Sequence, residues 1–304
     1  MNKAKFLTPV VTAFTADGQI DRKANIELWN HILSGGIDGI VLLGSAGEVC
    51  SLSDEQKKEL VLLAETEISG KGELIVGTGC MDTEETIEFS DFALAHSADA
   101  VMIISPYYFG LTDENVERFY DRVADGINGD MYLYNYPDRT GYHVSPQATL
   151  NLLRRHKNII GYKDSVSDFS HTRELLTMTG TEFPEFIVYS GFDENLVHNL
   201  MSGGCGCIGG LSNIYPEVCS AWVKSINEHD VEKMENLQKL IDKMMVIYGI
   251  ASPFMPVVRK ALQLRGMEIA EYCTHPIGPV NEEQSAQIKK VLGEVDAYIA
   301  EMGL

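Results

Sequence analysis

The feature that most constrains this chain is an alternation repeated eight times. Short apolar or β-branched runs end in Gly, Ser, Pro or Asn, and most are followed by longer segments with helical period. The strand candidates are Leu7–Phe14, Gly39–Leu43, Leu74–Gly77, Ala100–Ile104, Met131–Asn135, Ile159–Lys163, Phe186–Tyr189 and Cys207–Gly210. Most are continuously apolar, as parallel strands covered on both faces must be. Between them lie helix candidates at Lys23–Ser34, Thr83–His96, Asp113–Asn128, Phe169–Thr179, Glu194–Ser202 and Pro216–Glu228. Ser53-Asp54-Glu55-Gln56 is a capping box for a helix running to about Ser69, and Ser145-Pro146 places an N-cap before a proline.

Eight βα units in a row point to a (β/α)₈ barrel, a TIM barrel, over residues 1–228. A doubly wound sheet should carry a phosphate-binding glycine loop after its first strand, whereas Phe14 is followed by a plain Thr15-Ala16-Asp17-Gly18 turn. Residues 229–304 read as a C-terminal helical extension packed on the barrel, with helices at Val231–Ile250, Pro253–Leu264 and Asn281–Met302. Asn281 suits an N-cap, with Glu282 and Glu283 in the first turn.

Composition enters as a filter. A formal charge of −20 over 304 residues disfavours nucleic acid and anionic membrane surfaces as partners. It does not disfavour a small anionic substrate, because a few local cations set the potential inside a cleft. Met1-Asn2-Lys3-Ala4-Lys5 leads directly into a strand without a signal-peptide h-region, and no apolar run reaches membrane-spanning length. The expectation is a cytoplasmic protein. Its six scattered cysteines are then expected to be reduced thiols.

Barrel enzymes place their chemistry at the C-terminal ends of the strands. Here those ends carry Gly44-Ser45-Ala46-Gly47-Glu48, Gly77-Thr78-Gly79, Ser105-Pro106-Tyr107-Tyr108, Tyr134-Asn135-Tyr136-Pro137-Asp138-Arg139-Thr140-Gly141, Lys163-Asp164-Ser165, Ser190-Gly191-Phe192-Asp193-Glu194 and Gly209-Gly210-Leu211-Ser212-Asn213. Within that ring Lys163 ends an apolar strand, Ile159-Ile160-Gly161-Tyr162-Lys163. Most lysines at such a place leave for solvent, and the local sequence alone favours that fate. The alternative is a desolvated lysine with a lowered pKa, nucleophilic towards a ketone. The small residues of Gly44–Gly47 could turn backbone N–H groups towards a carboxylate, or form an ordinary turn. Arg139 could aim inward or lie on the surface.

Gly44-x-x-Gly47-Glu48, Tyr134-Asn135-x-Pro137 and the strand-borne Lys163, in that order, resemble the dihydrodipicolinate synthase / N-acetylneuraminate lyase family of pyruvate-dependent class I aldolases. The likeness runs from Thr8-Pro9 to the Pro256–Gly266 helix. It implies a (β/α)₈ barrel with a helical extension, a homotetramer, and no metal or organic cofactor. It implies that Lys163 forms an imine with the C2 ketone of pyruvate. Tyr134 and Ser45 would relay protons, and Tyr108 would complete the relay from a neighbouring subunit. The backbone of Ser45 and Ala46 would hold the pyruvate carboxylate, and Gly191 and Ile208 would line the substrate. The iminium ion is an electron sink, so a C3 proton can leave and the enamine attacks an aldehyde.

The resemblance divides over that aldehyde. Arg139 is similar to the synthase arginine that binds the carboxylate of aspartate semialdehyde, which ranks 4-hydroxy-tetrahydrodipicolinate synthesis first. Ala46, where the synthases carry a second threonine, argues otherwise. Asp193 and Glu194 resemble acids that bind sugar hydroxyls in sialic acid lyases. Lys163-Asp164-Ser165 and Tyr134-Asn135-Tyr136-Pro137 are similar to 2-keto-3-deoxy sugar acid aldolases. Val49, Cys50, Lys57 and Met81 replace the usual residues of the family's lysine-feedback site, so lysine inhibition is not expected. A silent sensor or binding barrel is the rival from another class, and intact Lys163 and Tyr134 argue against it.

Three signals are set aside. Gly204-Cys205-Gly206-Cys207-Ile208-Gly209 matches G-x-G-x-x-G, but a strand occupies it, so nucleotide binding is rejected. Cys205-x-Cys207 lacks a second metal-ligating pair, and no H-E-x-x-H is present. Tyr107 reads as a core aromatic.

Overall fold

The computed structural model describes residues 3–303. Met1-Asn2, where the expected barrel begins, and Leu304, where the expected extension ends, lie outside the described residues. The described strands are β1 (Lys5–Pro9), β2 (Gly39–Leu42), β3 (Glu73–Gly77), β4 (Ala100–Ile104), β5 (Met131–Asn135), β6 (Ile159–Asp164), β7 (Ile187–Ser190) and β8 (Gly206–Ile208). Their order is that of a closed barrel, β1 to β8 in sequence order. The eightfold alternation is therefore a (β/α)₈ barrel, as the sequence implies.

The helices are α1 (Arg22–Ser34), α2 (Asp54–Glu67), α3 (Thr83–Ala95), α4 (Asp113–Gly126), α5 (Pro137–Thr140), α6 (Pro146–Arg155), α7 (Phe169–Thr179), α8 (Leu196–Met201), α9 (Pro216–Asn227), α10 (Val231–Met245), α11 (Met255–Leu264) and α12 (Glu282–Met302). Ser53 and Gln56 form the expected capping box at α2, and Asn281 with Gln284 forms a second at α12. Among the described residues no helix is long and apolar enough to cross a membrane.

Two compact units are distinguished. One holds Leu74–Ile208 with Lys5, and the other holds Phe6–Glu73 with the chain from Gly209 onward. In the first, parallel pairing is continuous from β3 to β8. Its helix α4 lays Val116, Phe119, Tyr120, Val123 and Ala124 inward at helical spacing. Gly206 of β8 has φ +146°, and a Cβ there would come within 2.0 Å of the Lys5 carbonyl oxygen. Gly206 thus serves a close backbone approach, in keeping with the rejection of a nucleotide loop here.

In the second unit β1 pairs with β2. The first strand stops at Pro9, five residues short of the expected Phe14. Val10 donates one more ladder bond, to Val41. Then Asn213 Oδ1 accepts from the Val11 N–H (3.2 Å) and Asn25 Oδ1 from the Ala13 N–H (3.1 Å). Side chains from distant segments satisfy this apolar run, so it needs no neighbouring strand. Phe14 retains an isolated bridge to Ile20. The expected Glu194–Ser202 helix also shortens, because Asp193–Asn195 forms a 3₁₀ turn before α8.

Candidate active site

Lys163 lies on β6, level with Tyr134 of β5 and Tyr189 of β7. Neighbours level in a parallel ladder point to one face, so these three side chains share a side. Tyr132, two residues before Tyr134, stacks on Tyr189 with ring centroids 6.0 Å apart. Lys163 is 4% exposed, with Nζ 4.5 Å from the Tyr134 ring centroid. A cation over a π face is an attractive contact, but it does not replace water. Burial lowers the Lys163 pKa to about 8, and the opposing pull of Cys207 and Asp193 is too weak to restore it. The solvated reading of Lys163 is thereby replaced by a desolvated amine.

Asp193 is buried in the 3₁₀ turn after β7, and Cys207 is buried on β8. The same burial raises the Cys207 thiol well above its ordinary value, with Asp193 pushing the same way, so it stays protonated. Cys207 donates to the Phe192 carbonyl at 3.6 Å. Gly191 has its N–H on the Asp164 carbonyl (2.7 Å), and a Cβ there would lie 1.9 Å from Ser165 Oγ. Only glycine fits this strand end. Ile208 closes β8 and is fully buried, while Glu194 is half-buried.

The opposite face of β5 and β6 carries a network that the sequence reading did not anticipate. Asp164 Oδ1 accepts from Asn135 Nδ2 at 2.8 Å. Asp164 Oδ2 takes Thr172 Oγ1 at 2.6 Å and pairs with His171 Nδ1 at 3.0 Å. Asn135 Oδ1 accepts from the Val144 N–H at 2.9 Å. These bonds tie the ends of β5 and β6 together directly behind Tyr134 and Lys163 and anchor them to α7. His171 stacks on His143 at 4.7 Å. Its pKa is opposed by burial, yet the hydrogen bond and charge of Asp164 outweigh that and raise it. Burial, and then the neighbouring His171, lower His143.

Arg139 lies in α5, a single turn that periodicity did not reveal. Tyr136, Pro137 and the left-handed Gly141 bound it. The guanidinium is exposed and 5.3 Å from the Tyr136 ring centroid. Tyr108 is 80% exposed and Phe109 66% exposed, in edge contact at 5.0 Å. Tyr108 is therefore not gathered into the buried cluster around Lys163. Tyr107, expected in the core, is only half-buried, because the loop after β4 leads it outward.

Ser45 and Ala46 occupy the turn after β2 in the second unit. Gly47 N–H returns to the Gly44 carbonyl (3.0 Å) and Glu48 N–H to the Ser45 carbonyl (3.3 Å). Non-glycine residues in left-handed conformation bracket the turn: Leu43 at φ 55° and Glu48 at φ 59°. Such strain gathers at functional sites and persists only where surroundings hold it. Each of the six cysteines is free, and among the described residues no group of three His, Cys, Asp or Glu is placed to hold a metal.

Comparison with known proteins places this geometry. The model of the dihydrodipicolinate synthetase family matches residues 2–295. The chain belongs to the dihydrodipicolinate synthetase family. It is accordingly an enzyme of the class I lyase and aldolase type. It is 32% identical, over 95% of its length and 96% of the relative's, to the putative 2-dehydro-3-deoxy-D-gluconate aldolase YagE of Escherichia coli K12. It is 31% identical to the 4-hydroxy-tetrahydrodipicolinate synthase of Fervidobacterium nodosum, over 95% and 97% of the two chains. The crystal structure of YagE in complex with pyruvate superposes with a TM-score of 0.93 at 31% identity, covering 96% of this chain and 98% of that one.

Proposed function

We propose that the protein is a pyruvate-dependent Schiff-base aldolase, with Lys163 as the imine-forming residue. The observation that carries this reading is a lysine 4% exposed, with its pKa lowered to about 8, at the C-terminal end of a barrel strand. The neutral amine attacks the pyruvate C2 ketone, and the carbinolamine loses water to give an iminium ion. A C3 proton then leaves, the enamine adds to an aldehyde carbon, and water releases the product and the free lysine. Tyr134 and Ser45 relay the protons, with Tyr108 reaching a neighbouring copy in a cytoplasmic homotetramer. The backbone of Ser45 and Ala46 receives the pyruvate carboxylate. Gly191 and Ile208 line the pocket, and no metal or organic cofactor takes part.

Borohydride with pyruvate should add the mass of the reduced adduct to the wild type and none to Lys163→Ala. A wild type that acquires no adduct would end this reading.

For the aldehyde, the buried Asp193 beside Lys163, Glu194 after it and Ala46 in place of a hydroxyl support a hydroxylated acceptor, as in formation or cleavage of a 2-keto-3-deoxy sugar acid. The full-length likeness to YagE supports the same acceptor. The second reading is condensation with aspartate semialdehyde, and Arg139 is the residue that favours it. A panel of aldehydes with pyruvate separates them. Under the second reading, Arg139→Ala loses about tenfold or more in kcat/KM for aspartate semialdehyde. Under the first, hydroxylated aldehydes turn over in both proteins and aspartate semialdehyde in neither.

A further inference from the structure

Glu48 carries a buried charge that the chemistry above does not use. Its side chain is fully buried, and it forms an ion pair with Arg259 of α11, itself 2% exposed. Glu48 Oε2 also accepts from the Thr274 N–H (3.1 Å) and from the Thr274 hydroxyl. The same guanidinium donates to the Thr12 carbonyl at 3.2 Å and to Cys273 Sγ at 3.2 Å. Thr12 in turn donates its hydroxyl to the Gly47 carbonyl at 2.8 Å. The bonds therefore form a ring: Glu48, Arg259, Thr12, Gly47 and back to Glu48 along the chain.

That ring encloses the end of the Gly44–Gly47 turn. A residue with a Cβ holds a left-handed conformation only at a cost, and Glu48 at φ 59° does so here. Two hydrogen bonds and a buried cation on its carboxylate hold it there. Removing the anion would leave Arg259 buried without its counter-charge and free Glu48 to leave the left-handed region. Gly47, fixed through its carbonyl, would shift with it. The Ser45-Ala46 backbone before it would then lose its fixed support, and an anion is bound through backbone only where that backbone is held in place.

We propose that Glu48 and Arg259, with Thr274, are positioning residues that hold the Gly44–Gly47 turn in its carboxylate-binding shape. This rests on the reading that the turn receives the pyruvate carboxylate. The three residues touch no reacting atom. Their effect should fall on recognition of the carboxylate and spare the amine of Lys163.

Borohydride trapping of the full chain tests this with two ketones, pyruvate and hydroxyacetone, which lacks a carboxylate. In Glu48→Gln the pyruvate concentration for half-maximal trapping should rise about tenfold to a hundredfold, with hydroxyacetone trapping unchanged. Thr274→Val keeps both charges and removes one hydroxyl, so it should show the same selectivity with a smaller rise. It carries the test alone if Glu48→Gln does not fold. Equal losses for both ketones would make the ring merely structural and overturn the proposal. Unchanged pyruvate half-saturation in folded variants would overturn it as well. A wild type that traps neither ketone fails differently, because it removes the imine reading and this inference with it.

Discussion

Lys163→Met should abolish imine chemistry and stabilise the fold by about 3 kcal/mol near pH 7. In the folded protein burial lowers the Lys163 pKa from its ordinary 10.5 to about 8. Each pKa unit is worth about 1.4 kcal/mol of preference between protonation states. Methionine has a similar unbranched shape and carries no charge to desolvate. Below about pH 8 both folded and unfolded wild type hold the proton, so the full cost of burying it is present. Between about pH 8 and 10.5 the unfolded chain keeps a proton that the folded chain has released, so wild-type stability rises with pH. The advantage of the variant should therefore be widest at about pH 7 and vanish towards pH 10.5. Urea unfolding of both proteins at several pH values measures this gap. A variant no more stable than the wild type, or a gap that does not close with pH, would show that Lys163 is not held as a desolvated amine. The same titration predicts that imine formation in the wild type speeds up as pH rises through about 8.

This trade of stability for a reactive group shows which residues a sequence can reveal. The strand Ile159–Lys163 was legible because an apolar run ending in one ammonium is a local pattern. The capping boxes at Ser53 and Asn281 were legible for the same reason: their partners, Gln56 and Gln284, are three residues away. The end of β1 was not, because the Val11 and Ala13 N–H groups beyond Pro9 donate to the side chains of Asn213 and Asn25, the former 202 positions away. Helix α5 escaped because four residues are too few to show a period, although Pro137 at its start and Gly141 at its end are standard punctuation. Glu48 belonged to a recognisable motif, but its partner Arg259 lies 211 residues away, and nothing in the local sequence links the two. Tyr108 shows the opposite limit. Its role was read from family likeness, and one chain leaves it in solvent. Periodicity predicts which faces are buried. It does not say which buried charges meet.

The network behind Lys163 should be the most costly of these to break. Asp164→Ala leaves Asn135 Nδ2, the Thr172 hydroxyl and His171 Nδ1 without their acceptor in a buried place. Removing one member of a buried charged network typically costs about 3–5 kcal/mol, whereas one neutral hydrogen bond is worth about 1 kcal/mol. Thr172→Val therefore sets the scale at about 1 kcal/mol, and Asp164→Ala should exceed it severalfold in urea unfolding. Asp164→Asn keeps one acceptor oxygen but turns an amide donor on either Asn135 or the His171–Thr172 pair, so it should fall between. pH separates this ion pair from general loss of packing. Asp164 raises the His171 pKa in the folded state, so that contribution is fully present below the unfolded histidine value and is lost as pH rises through the folded one. His143 beside it is lowered, chiefly by burial, while Asp164 pulls it upward, so removing Asp164 lowers it further and widens the gap at low pH in the same direction. The stability gap between wild type and Asp164→Ala should consequently be larger at about pH 6 than at about pH 8. A gap independent of pH would mean that His171 is not paired with Asp164. Because the same bonds fix Tyr134 and Lys163 level on adjacent strands, turnover should fall further than the folded fraction does, since small displacements at a reacting centre are expensive.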